Sequence, residues 1–398
     1  MASSTVRRCP ICEVSEAEIL HSQKFALPEG HPLSAGYNVV CCVECGFVYA
    51  DTAATHEDYD RFYAQFSKYE DQQTTTGVGG VHCGTPDNLR DAARQIASFL
   101  PDNQSRIIDM GCANGGLLKF LKELGFNNVC GIDPSPTCVE NVRRLGVEAH
   151  VGSLFQQLRE IGRFDCVILS HVLEHVQDLK RATHSLHALT TAGGYVYIEV
   201  PNANRYADNV FAPFQDFNTE HINHFSGLCL SNLMQPAGFC LKEQGEKVIE
   251  LSSDMPYPAL YSIWIKGEQR SSYFALRRDG ELELNIRAYI EKSQLIMQWI
   301  ETKLRHALGE SDRFIVWGTG QLAMKLLIDT SLRNAVITAF VDGNPMNQGK
   351  RLLGIPILPP EQIRPLPHPI IIATTLHQQE IAQKIQSMGL PNRVILLG

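Results

Sequence analysis

The sequence lacks the features of membrane and secreted proteins. No stretch approaches the roughly 18 apolar residues that a transmembrane helix requires, so we do not expect a membrane protein. Residues 1–8 are polar and lack the apolar core that a signal peptide has, which predicts a cytoplasmic location. Stripes of Lys and Arg are also missing, and the formal net charge is -8. Nucleic acid is therefore not an expected partner, because phosphate binding requires clustered positive side chains.

What the chain does contain is typical of a soluble protein with several domains. It has 398 residues, of which 44% are hydrophobic and 20% are charged. At roughly 100–200 residues per domain, this length predicts two or three domains. Twelve cysteines are present, and four of them form two close couples. Such couples favour metal binding over disulfides in a reducing compartment.

The two cysteine couples predict a zinc site near the start of the chain. Each has C-x-x-C spacing, and the four candidate ligands are Cys9, Cys12, Cys42 and Cys45. Paired thiolates suit tetrahedral zinc, and a closed four-sulfur site leaves no open position, so the metal is expected to be structural. Cys41 competes with Cys42, but Cys42 has the two-residue spacing. Free thiols in a small fold are the alternative.

The middle of the chain alternates between strand and helix patterns. After a helical pattern at 87–100, predicted strands lie at 106–110, 128–132, 164–170 and 194–200, with helices at 115–124, 136–145 and 179–189. This alternation predicts a parallel sheet that helices cover on both faces. The polar, glycine-rich segment 71–86 is expected to be a mobile loop or lid. Residues 238–275 are interpreted as short strands and turns.

The back of the chain shows a second alternation. An amphipathic segment at 280–308 predicts a connecting helix, and strand and helix patterns follow at 314–317, 323–328, 336–342, 370–374, 380–388 and 393–397. The expected fold class is α/β, with a central Rossmann-like domain between a small zinc-binding domain and a second Rossmann-like domain. The predicted boundaries are 1–75 for the zinc-binding and substrate-side segment, 76–275 for the central domain, and 276–398 for the connecting helix and the last domain.

A glycine-rich turn, residues 109–116, follows the first predicted strand of the central domain. Small residues let a ligand approach the backbone, and the next helix offers exposed N–H donors. Asp109 is placed to take an ammonium group, and Asp133 at the end of the next strand is placed to accept two ribose hydroxyls. A tight structural turn and a nicotinamide site are the alternatives, but the glycine pattern differs from G-x-G-x-x-G.

The predicted strand at 164–170 continues into Ser170-His171-Val172-Leu173-Glu174-His175. Together with Asp109-x-Gly111-Cys112-x-x-Gly115 and Asp133, this stretch resembles the class I S-adenosylmethionine-dependent methyltransferases over about residues 87–240. The resemblance implies that the cofactor is bound by Asp109, Gly111, Cys112, Asn114, Gly115, Asp133, Pro134, Ser153 and His171. Ser153 is expected beside the adenine and His171 beside the methionine part. Capping of the following helix is the alternative role for Glu174 and the favoured one for His175.

The order of the three predicted domains resembles the sugar C-methyltransferase family, whose members act on nucleotide-linked 4-keto-deoxysugars. The stretch 217–226 is similar to the Tyr-x-Glu-His and Phe-Ser segment that carries the acid/base residues of that family. By this resemblance Glu220 and His221 are the candidate catalytic pair, and His224 is a further candidate. A carboxylate next to an imidazole raises its basicity. The alternative is a histidine-rich loop that holds its own backbone.

Asn218 stands where the family usually has a tyrosine that could polarise a keto oxygen. This departure puts 3-C-methylation in doubt and leaves O-methylation, or methylation of another carbon, open. Tyr63 or Tyr69 is an alternative source of a hydroxyl, although core packing is the expected role of that aromatic run.

The back domain contains Gly318-Thr319-Gly320-Gln321-Leu322-Ala323, which fits G-x-G-x-x-A, and Asp342 ends the next strand pattern. Alone, this is a dinucleotide fingerprint. The family resemblance instead implies that the domain helps to hold a sugar nucleotide or only packs. Phosphate binding at Gly318 and Gly320, a structural role and a nicotinamide site stay open.

The expected protein is an enzyme that transfers methyl from S-adenosylmethionine to a nucleotide-linked deoxysugar or related glycan precursor, with carbon as the expected acceptor. The alternatives are an O-methyltransferase for a sugar or another small molecule, a nicotinamide-dependent oxidoreductase that uses the back domain, and a non-catalytic binding protein. Intact Asp109, Gly111 and Asp133 argue against the last. The expected partner is the small-molecule substrate, and the chain is expected to be a monomer or a homodimer.

Overall fold

The computed structural model describes residues 2–65, 86–155, 161–250, 255–267 and 274–398. The chain divides into two compact units. The first consists of Met1–Ile19, Val40–Asn209 and Glu220–Ile286, and the second of Leu20–Val39, Val210–Thr219 and Arg287–Gly398. Tyr69 and residues 71–85 of the expected lid lie outside the described residues, whereas Pro86 begins a helix.

The elements are numbered in chain order. The strands are β1 (Ala2–Ser4), β2 (Glu16–Lys24), β3 (Gly36–Cys42), β4 (Val48–Asp51), β5 (Ile107–Met110), β6 (Val129–Asp133), β7 (Glu148–Val151), β8 (Phe164–Ser170), β9 (Thr190–Pro201), β10 (Asn223–His224), β11 (Phe239–Glu250), β12 (Pro256–Lys266), β13 (Arg313–Trp317), β14 (Val336–Val341), β15 (Arg351–Leu352), β16 (Ile355–Leu358), β17 (Ile370–Ile372) and β18 (Val394–Leu396). The α-helices are α1 (His56–Gln65), α2 (Pro86–Phe99), α3 (Gly116–Glu123), α4 (Pro136–Arg144), α5 (Leu179–Leu189), α6 (Gly227–Met234), α7 (Gly280–Leu308), α8 (Gln321–Asp329) and α9 (Gln378–Ser387).

The main sheet of the first unit has the strand order β11-β12-β9-β8-β5-β6-β7. From β9 to β7 the neighbouring strands are parallel. Their short apolar runs are buried, as in β5, because helices cover a sheet of this kind on both faces. The predicted alternation is confirmed here, and β8 and α5 have the bounds that the sequence predicts. All ligand-binding candidates of the glycine-rich turn lie at the carboxyl ends of these parallel strands.

The interpretation of 238–275 as short strands and turns is wrong. Residues 239–250 and 256–266 form the long antiparallel strands β11 and β12, and β12 continues the sheet antiparallel to β9. Most side chains of β11 are polar and exposed, which hid the strand pattern in the sequence. Pairing with the apolar β12 and not the propensity of β11 itself therefore sets this edge of the sheet.

Short strands near the start of the chain form another sheet, in the order β1-β2-β3-β4-β10. The sequence patterns did not predict these strands. The last of them, β10, comes from residues 223–224 and pairs antiparallel with β4 through Asn223–Tyr49 and His224–Val48. The chain thus returns, far along the sequence, to the segment that carries the cysteine couples.

The second unit contains a sheet with the order β15-β16-β14-β13-β17-β18, in which β14, β13, β17 and β18 are parallel. Helix α7 has the predicted bounds, and its Ile300 and Leu304 pack in one core with Phe314 and Val316 of β13. Of the helices within the described residues, none is both long and apolar enough to cross a membrane.

Candidate active site

The glycine-rich turn after β5 has the backbone of a ligand-binding loop. Gly111 and Gly115 have φ angles of 77° and 78°, and Ala113 has a φ of 44°. A Cβ atom at Gly111 would lie 2.8 Å from Cγ2 of Val172, so this position requires glycine both for its conformation and for its close contact. The backbone of Gly111 is exposed, which leaves it accessible to a ligand at the carboxyl edge of the sheet.

Asp133, at the end of β6, holds this turn in place. Its carboxylate accepts hydrogen bonds of 2.9 Å from the backbone N–H of Ala113 and from the backbone N–H of Ser135. Ser135 in turn caps α4 by accepting from the N–H of Cys138. The predicted ribose ligand therefore connects the glycine-rich turn to the start of the next helix, and the adjacent Pro134 is half-buried.

Asp109 lies beneath the turn and is only 4% exposed. Burial, together with the negative charge of Asp133, raises the pKa of its carboxyl group to about 7. An ammonium group placed beside this carboxylate would compensate both effects. The environment of Asp109 thus fits the amino group that the sequence assigns to it.

The other predicted cofactor ligands, Cys112, Asn114 and Ser153, differ in what their side chains contact. The side chain of Cys112 is buried and packs against Gly131, where an added Cβ would lie 2.6 Å from its sulfur. Asn114 is buried and accepts a hydrogen bond of 2.9 Å from Asn141. Both side chains are thus engaged within the protein. Ser153 accepts from the N–H of Phe155 in the loop after β7.

His171 is held between two buried glutamates. Its Nδ1 lies 3.2 Å from Oε1 of Glu174, and its Nε2 lies 3.3 Å from Oε1 of Glu199. Burial lowers the pKa of His171, but the two carboxylates outweigh burial and raise it to about 9. The imidazole is therefore charged at neutral pH. Its φ of 55° places the backbone in the left-handed region, a strained conformation that is common next to binding sites.

The supports of His171 on β9 and β11 were not predicted from the sequence. Glu199 on β9 also pairs with Lys247 and accepts a hydrogen bond of 2.5 Å from the hydroxyl of Tyr197. Burial raises the pKa of Glu199, whereas His171 and Lys247 lower it to about 2 in sum. A charged residue within the apolar run of β9 was the available signal, since such a residue is rarely buried without a partner.

The loop with Glu220 and His221 lies against the turn that follows β8. The N–H of Ile222 donates to the carbonyl of Glu174 at 2.8 Å, and Nδ1 of His175 lies 3.0 Å from the carbonyl of Glu220. The rings of His175 and His221 meet edge to face, with centroids 4.9 Å apart. The structure thus brings His221 next to the segment that also carries His171.

Capping of the following helix, the favoured role for His175 and the alternative one for Glu174, is contradicted by the structure. Asp178 is the N-cap of α5, because its carboxylate accepts from the N–H of Arg181. Nδ1 of His175 instead contacts the loop of His221, and Nε2 of His175 lies 3.9 Å from Glu174. Glu174, His175 and His221 each place one potential ligand atom within 4.8 Å of the others.

His224 is fully buried on β10, and its ring meets Tyr206 edge to face. Burial and the charge of Arg7 lower the pKa of His224 to about 3, so the imidazole is neutral. Its side chain has no surface to offer a substrate in this structure, and the expectation of a catalytic His224 is not supported.

Of the two tyrosines considered as hydroxyl donors, Tyr63 is within the described part of the chain. Its ring lies edge to face with His175 at a centroid distance of 6.0 Å. Asn218 belongs to the second unit, where its carbonyl accepts from the hydroxyl of Tyr37 at 2.7 Å.

The four predicted zinc ligands converge at one place. Sγ of Cys9 lies 3.5 Å from Sγ of Cys45, and Sγ of Cys12 lies 3.4 Å from Sγ of Cys42. All four sulfurs lie within 4.8 Å of one another. Zinc–sulfur bonds of about 2.3 Å in a tetrahedron would place the sulfurs about 3.8 Å apart. The donor set and spacing therefore fit a zinc ion.

Each couple folds as a tight turn. The N–H of Glu13 donates to the carbonyl of Cys9, and the N–H of Gly46 donates to the carbonyl of Cys42. Position 46 requires glycine, because its φ is 74° and an added Cβ would lie 2.3 Å from the backbone oxygen of Asp279. Cys41 does not belong to the cluster, since its thiol contacts the carbonyl of Gly46.

In the second unit, the carboxylate of Asp342 accepts hydrogen bonds from residues of the two adjacent turns. Its Oδ2 accepts from the N–H and the hydroxyl of Thr319 and from the side-chain amide of Asn347, and its Oδ1 accepts from the N–H of Asn344. Asp342 therefore closes the turn after β13. The N–H contacts resemble those of Asp133, which also accepts from the turn after the preceding strand and from the N–H two positions on.

Comparison with known proteins bears on two parts of the chain. Residues 87–244 match the family described as "Methyltransferase domain". Residues 310–396 match the family described as "C2185-like, N-terminal". With the strand order of the first unit and the turn built on Asp109, Gly111 and Asp133, the first match identifies a class I S-adenosylmethionine-dependent methyltransferase domain. The expectation of a methyltransferase is thereby confirmed for this domain.

Among similar proteins is a ubiquinone biosynthesis O-methyltransferase of Alkalilimnicola ehrlichii, 33% identical over 106 residues, which are 25% of this chain and 42% of that protein. A protein of the same name from Methylobacterium nodulans is 33% identical over 109 residues, or 26% and 43% of the two chains. The chain thus spans less than half the length of these relatives. A solved structure of a methyltransferase from Methanosarcina mazei is 17% identical, with a TM-score of 0.37, and covers 44% of this chain and 98% of its own.

Proposed function

We propose that the protein transfers the methyl group of S-adenosylmethionine to a nucleotide-linked keto-deoxysugar or a related glycan precursor, at carbon. His221 is the general base in this proposal, and Glu220 supports it, directly or through orientation of the substrate. The observation that carries the proposal is the contact of the His221 loop with the Glu174–His175 turn, which puts a half-buried imidazole beside the segment of His171.

The cofactor supplies an activated methyl group, so the protein has to orient the acceptor, exclude water and remove a proton. His221 would take the proton from the carbon next to the keto group. The edge-to-face contact with His175 restricts the orientation of its ring. Tyr63, which packs on the other histidine of this pair, is the hydroxyl that would polarise the keto oxygen in place of the missing tyrosine at position 218.

We further propose that Cys9, Cys12, Cys42 and Cys45 hold a structural zinc ion. The support is the donor set of four sulfurs and their approach to tetrahedral spacing. A site closed by four protein ligands supplies folding energy and has no position for a substrate.

O-methylation of a hydroxyl on a small molecule is the second candidate. Two observations favour it: Asn218 replaces the tyrosine of the sugar C-methyltransferases, and the relatives with 33% identity carry the name of O-methyltransferases. A hydroxyl that is already acidic needs less help from a base, so the two candidates differ in how strongly they depend on His221.

Two measurements separate these candidates. In a thermal-shift panel with S-adenosylhomocysteine present, a true acceptor raises the unfolding temperature because it binds the folded state. NMR spectroscopy of the methylated product then distinguishes a methyl group on carbon from one on oxygen. The second candidate would replace the first if keto-deoxysugar nucleotides neither bind nor accept methyl and a phenol or hydroxy acid does both.

A further inference from the structure

Arg7 is an arginine whose guanidinium is buried among backbone carbonyls. The side chain is 8% exposed, and its Nη1 donates to the carbonyls of Ala50 and Ile222, at 3.4 and 3.2 Å. Its Nη2 donates to the carbonyls of Val176 and Gln177, at 3.4 and 2.5 Å. One planar cation thus joins three chain segments that are far apart in the sequence. A lysine could not do this, because a single ammonium lacks the fork of donors.

Two of these segments carry the candidate chemistry. Val176 and Gln177 directly follow His175, and Ile222 directly follows His221. The guanidinium therefore fixes the backbone next to each of the two histidines whose rings are in contact. Its hydrogen bonds to these two segments are made to backbone carbonyls.

Asn223 completes the connection. Its Oδ1 accepts from Nη2 of Arg7 at 3.0 Å, and its Nδ2 donates to the carbonyls of Leu173 and Val176, at 2.8 and 2.6 Å. The amide therefore ties the His221 loop to the turn of His175 a second time. Each group in this network keeps the other in place.

Arg7 itself is anchored to the cysteine segment. Its N–H donates to Oδ1 of Asp51 at 2.7 Å, and its carbonyl accepts from the hydroxyl of Tyr49 at 3.2 Å. The first cysteine, Cys9, follows two positions later. The position of the guanidinium thus depends on the fold of the segment that carries the cysteines.

We infer that Arg7, together with Asn223, is a positioning residue that sets the place of the His221 ring relative to the turn after β8. This inference rests on the proposed function of His221. A buried cation is a costly way to satisfy carbonyls, and geometry that a substrate requires is a reason to retain it. The cysteine segment then has a part in catalysis through Arg7.

The first test measures the environment of the His221 ring and does not depend on enzymatic activity. In protein with ¹³C-labelled histidine, the ring signal of His221 is assigned by its loss in His221→Gln. We expect Arg7→Lys to shift this signal, whereas the matched variant Arg8→Lys leaves it in place because Arg8 is exposed. Asn223→Ala should also shift it. A His221 signal that stays unchanged in both Arg7→Lys and Asn223→Ala would overturn the inference.

The second test reads the reaction. Misplacement of a reacting group by about 1 Å lowers rates by about 10²-fold, so Arg7→Lys should lower kcat by one to two orders of magnitude. The affinity of Arg7→Lys for S-adenosylhomocysteine should stay within about twofold of the wild type. The carbonyls that Arg7 binds belong to other segments than the turn of Asp109 and Asp133. Equal losses in kcat and in cofactor affinity, with an unmoved His221 signal, would show a general structural role and contradict the inference.

If Arg7→Lys does not fold, Asn223→Ala, which keeps the cation, decides the question by the same two measurements. If the wild-type protein methylates none of the acceptors, the proposed function fails, while the ring signals still show whether Arg7 sets the position of His221.

Discussion

The carboxylate of Asp133 accepts a hydrogen bond of 2.9 Å from the backbone N–H of Ala113, 20 positions earlier in the chain. Ala113 has a φ of 44°, so this bond stabilises a residue in the left-handed region between Gly111 and Gly115. The acid that the sequence assigns to the ribose therefore also shapes the turn that receives the rest of the cofactor. Cofactor affinity should be sensitive to it for both reasons.

We expect Asp133→Ala to weaken binding of S-adenosylmethionine by about tenfold or more. Hydrogen bonds to charged groups contribute about 1.5–3 kcal/mol, which corresponds to that factor. Isothermal titration calorimetry checks the value. Asp133→Asn, which keeps the size and one carbonyl oxygen, should lose less. Unchanged affinity in the alanine variant would place the ribose elsewhere.

Binding of S-adenosylmethionine should strengthen as the pH rises through about 7. The carboxyl group of Asp109 has a pKa of about 7 because it is buried and near Asp133. The ammonium group of the cofactor requires the ionised carboxylate, so below that pH a proton must first be lost. Calorimetry at pH 6 in two buffers of different ionisation enthalpy should show proton release. In Asp109→Asn the pH dependence should flatten, and a slope that persists would assign it to another group.

Substitution of adjacent cysteines should separate ligand from neighbour. Cys42→Ser should lose the metal, since its sulfur is one of the four that converge. Cys41→Ser should keep one zinc per chain, because the Cys41 thiol contacts the carbonyl of Gly46 instead. Elemental analysis of protein purified under reducing conditions without chelator measures both. Zinc-free wild-type protein, or equal loss in the two variants, would refute the proposed site.

His221→Ala should lose turnover and keep its affinity for S-adenosylhomocysteine. Removal of a general base lowers rates by about 10²–10⁴-fold. His224→Ala should lose less, since His224 is fully buried, but its unfolding temperature should fall. The unfolding temperature of each variant is measured beside its rate. Most of the activity surviving in His221→Ala would move the base to Tyr63 or Tyr69, or indicate an acceptor that is already acidic.

Glu199→Gln should lower the pKa of His171 from its value of about 9. The charge of Glu199 is one of the two that raise this pKa, while burial lowers it. The ring should then lose its proton at a lower pH, which a titration followed by histidine NMR can detect. Glu243→Gln on the exposed β11 is the control, and it should leave the titration of His171 unchanged. An unchanged midpoint in Glu199→Gln would leave Glu174 as the carboxylate that raises the pKa of His171.

Local patterns accounted for most of the parallel part of the main sheet. The alternation of apolar runs with helical periods predicted β5, β6, β8 and β9 within a few residues, because each element buries its own hydrophobic residues. The glycine-rich turn and Asp133 were also readable, since φ angles that favour glycine and acids at strand ends depend on neighbours in sequence. The polar strand β11 was not readable, because its partner β12 stabilises it.

The site itself divides in the same way. The sequence by itself determined the cofactor turn, the cysteine couples and the candidate status of Glu220 and His221. Only the tertiary structure decided that Glu199 holds His171 and that His224 is buried. It alone also joined Arg7 to Ile222, which lie 215 positions apart. Such contacts arise when β10 pairs with β4, and no periodicity in the sequence encodes a pairing between segments so far apart.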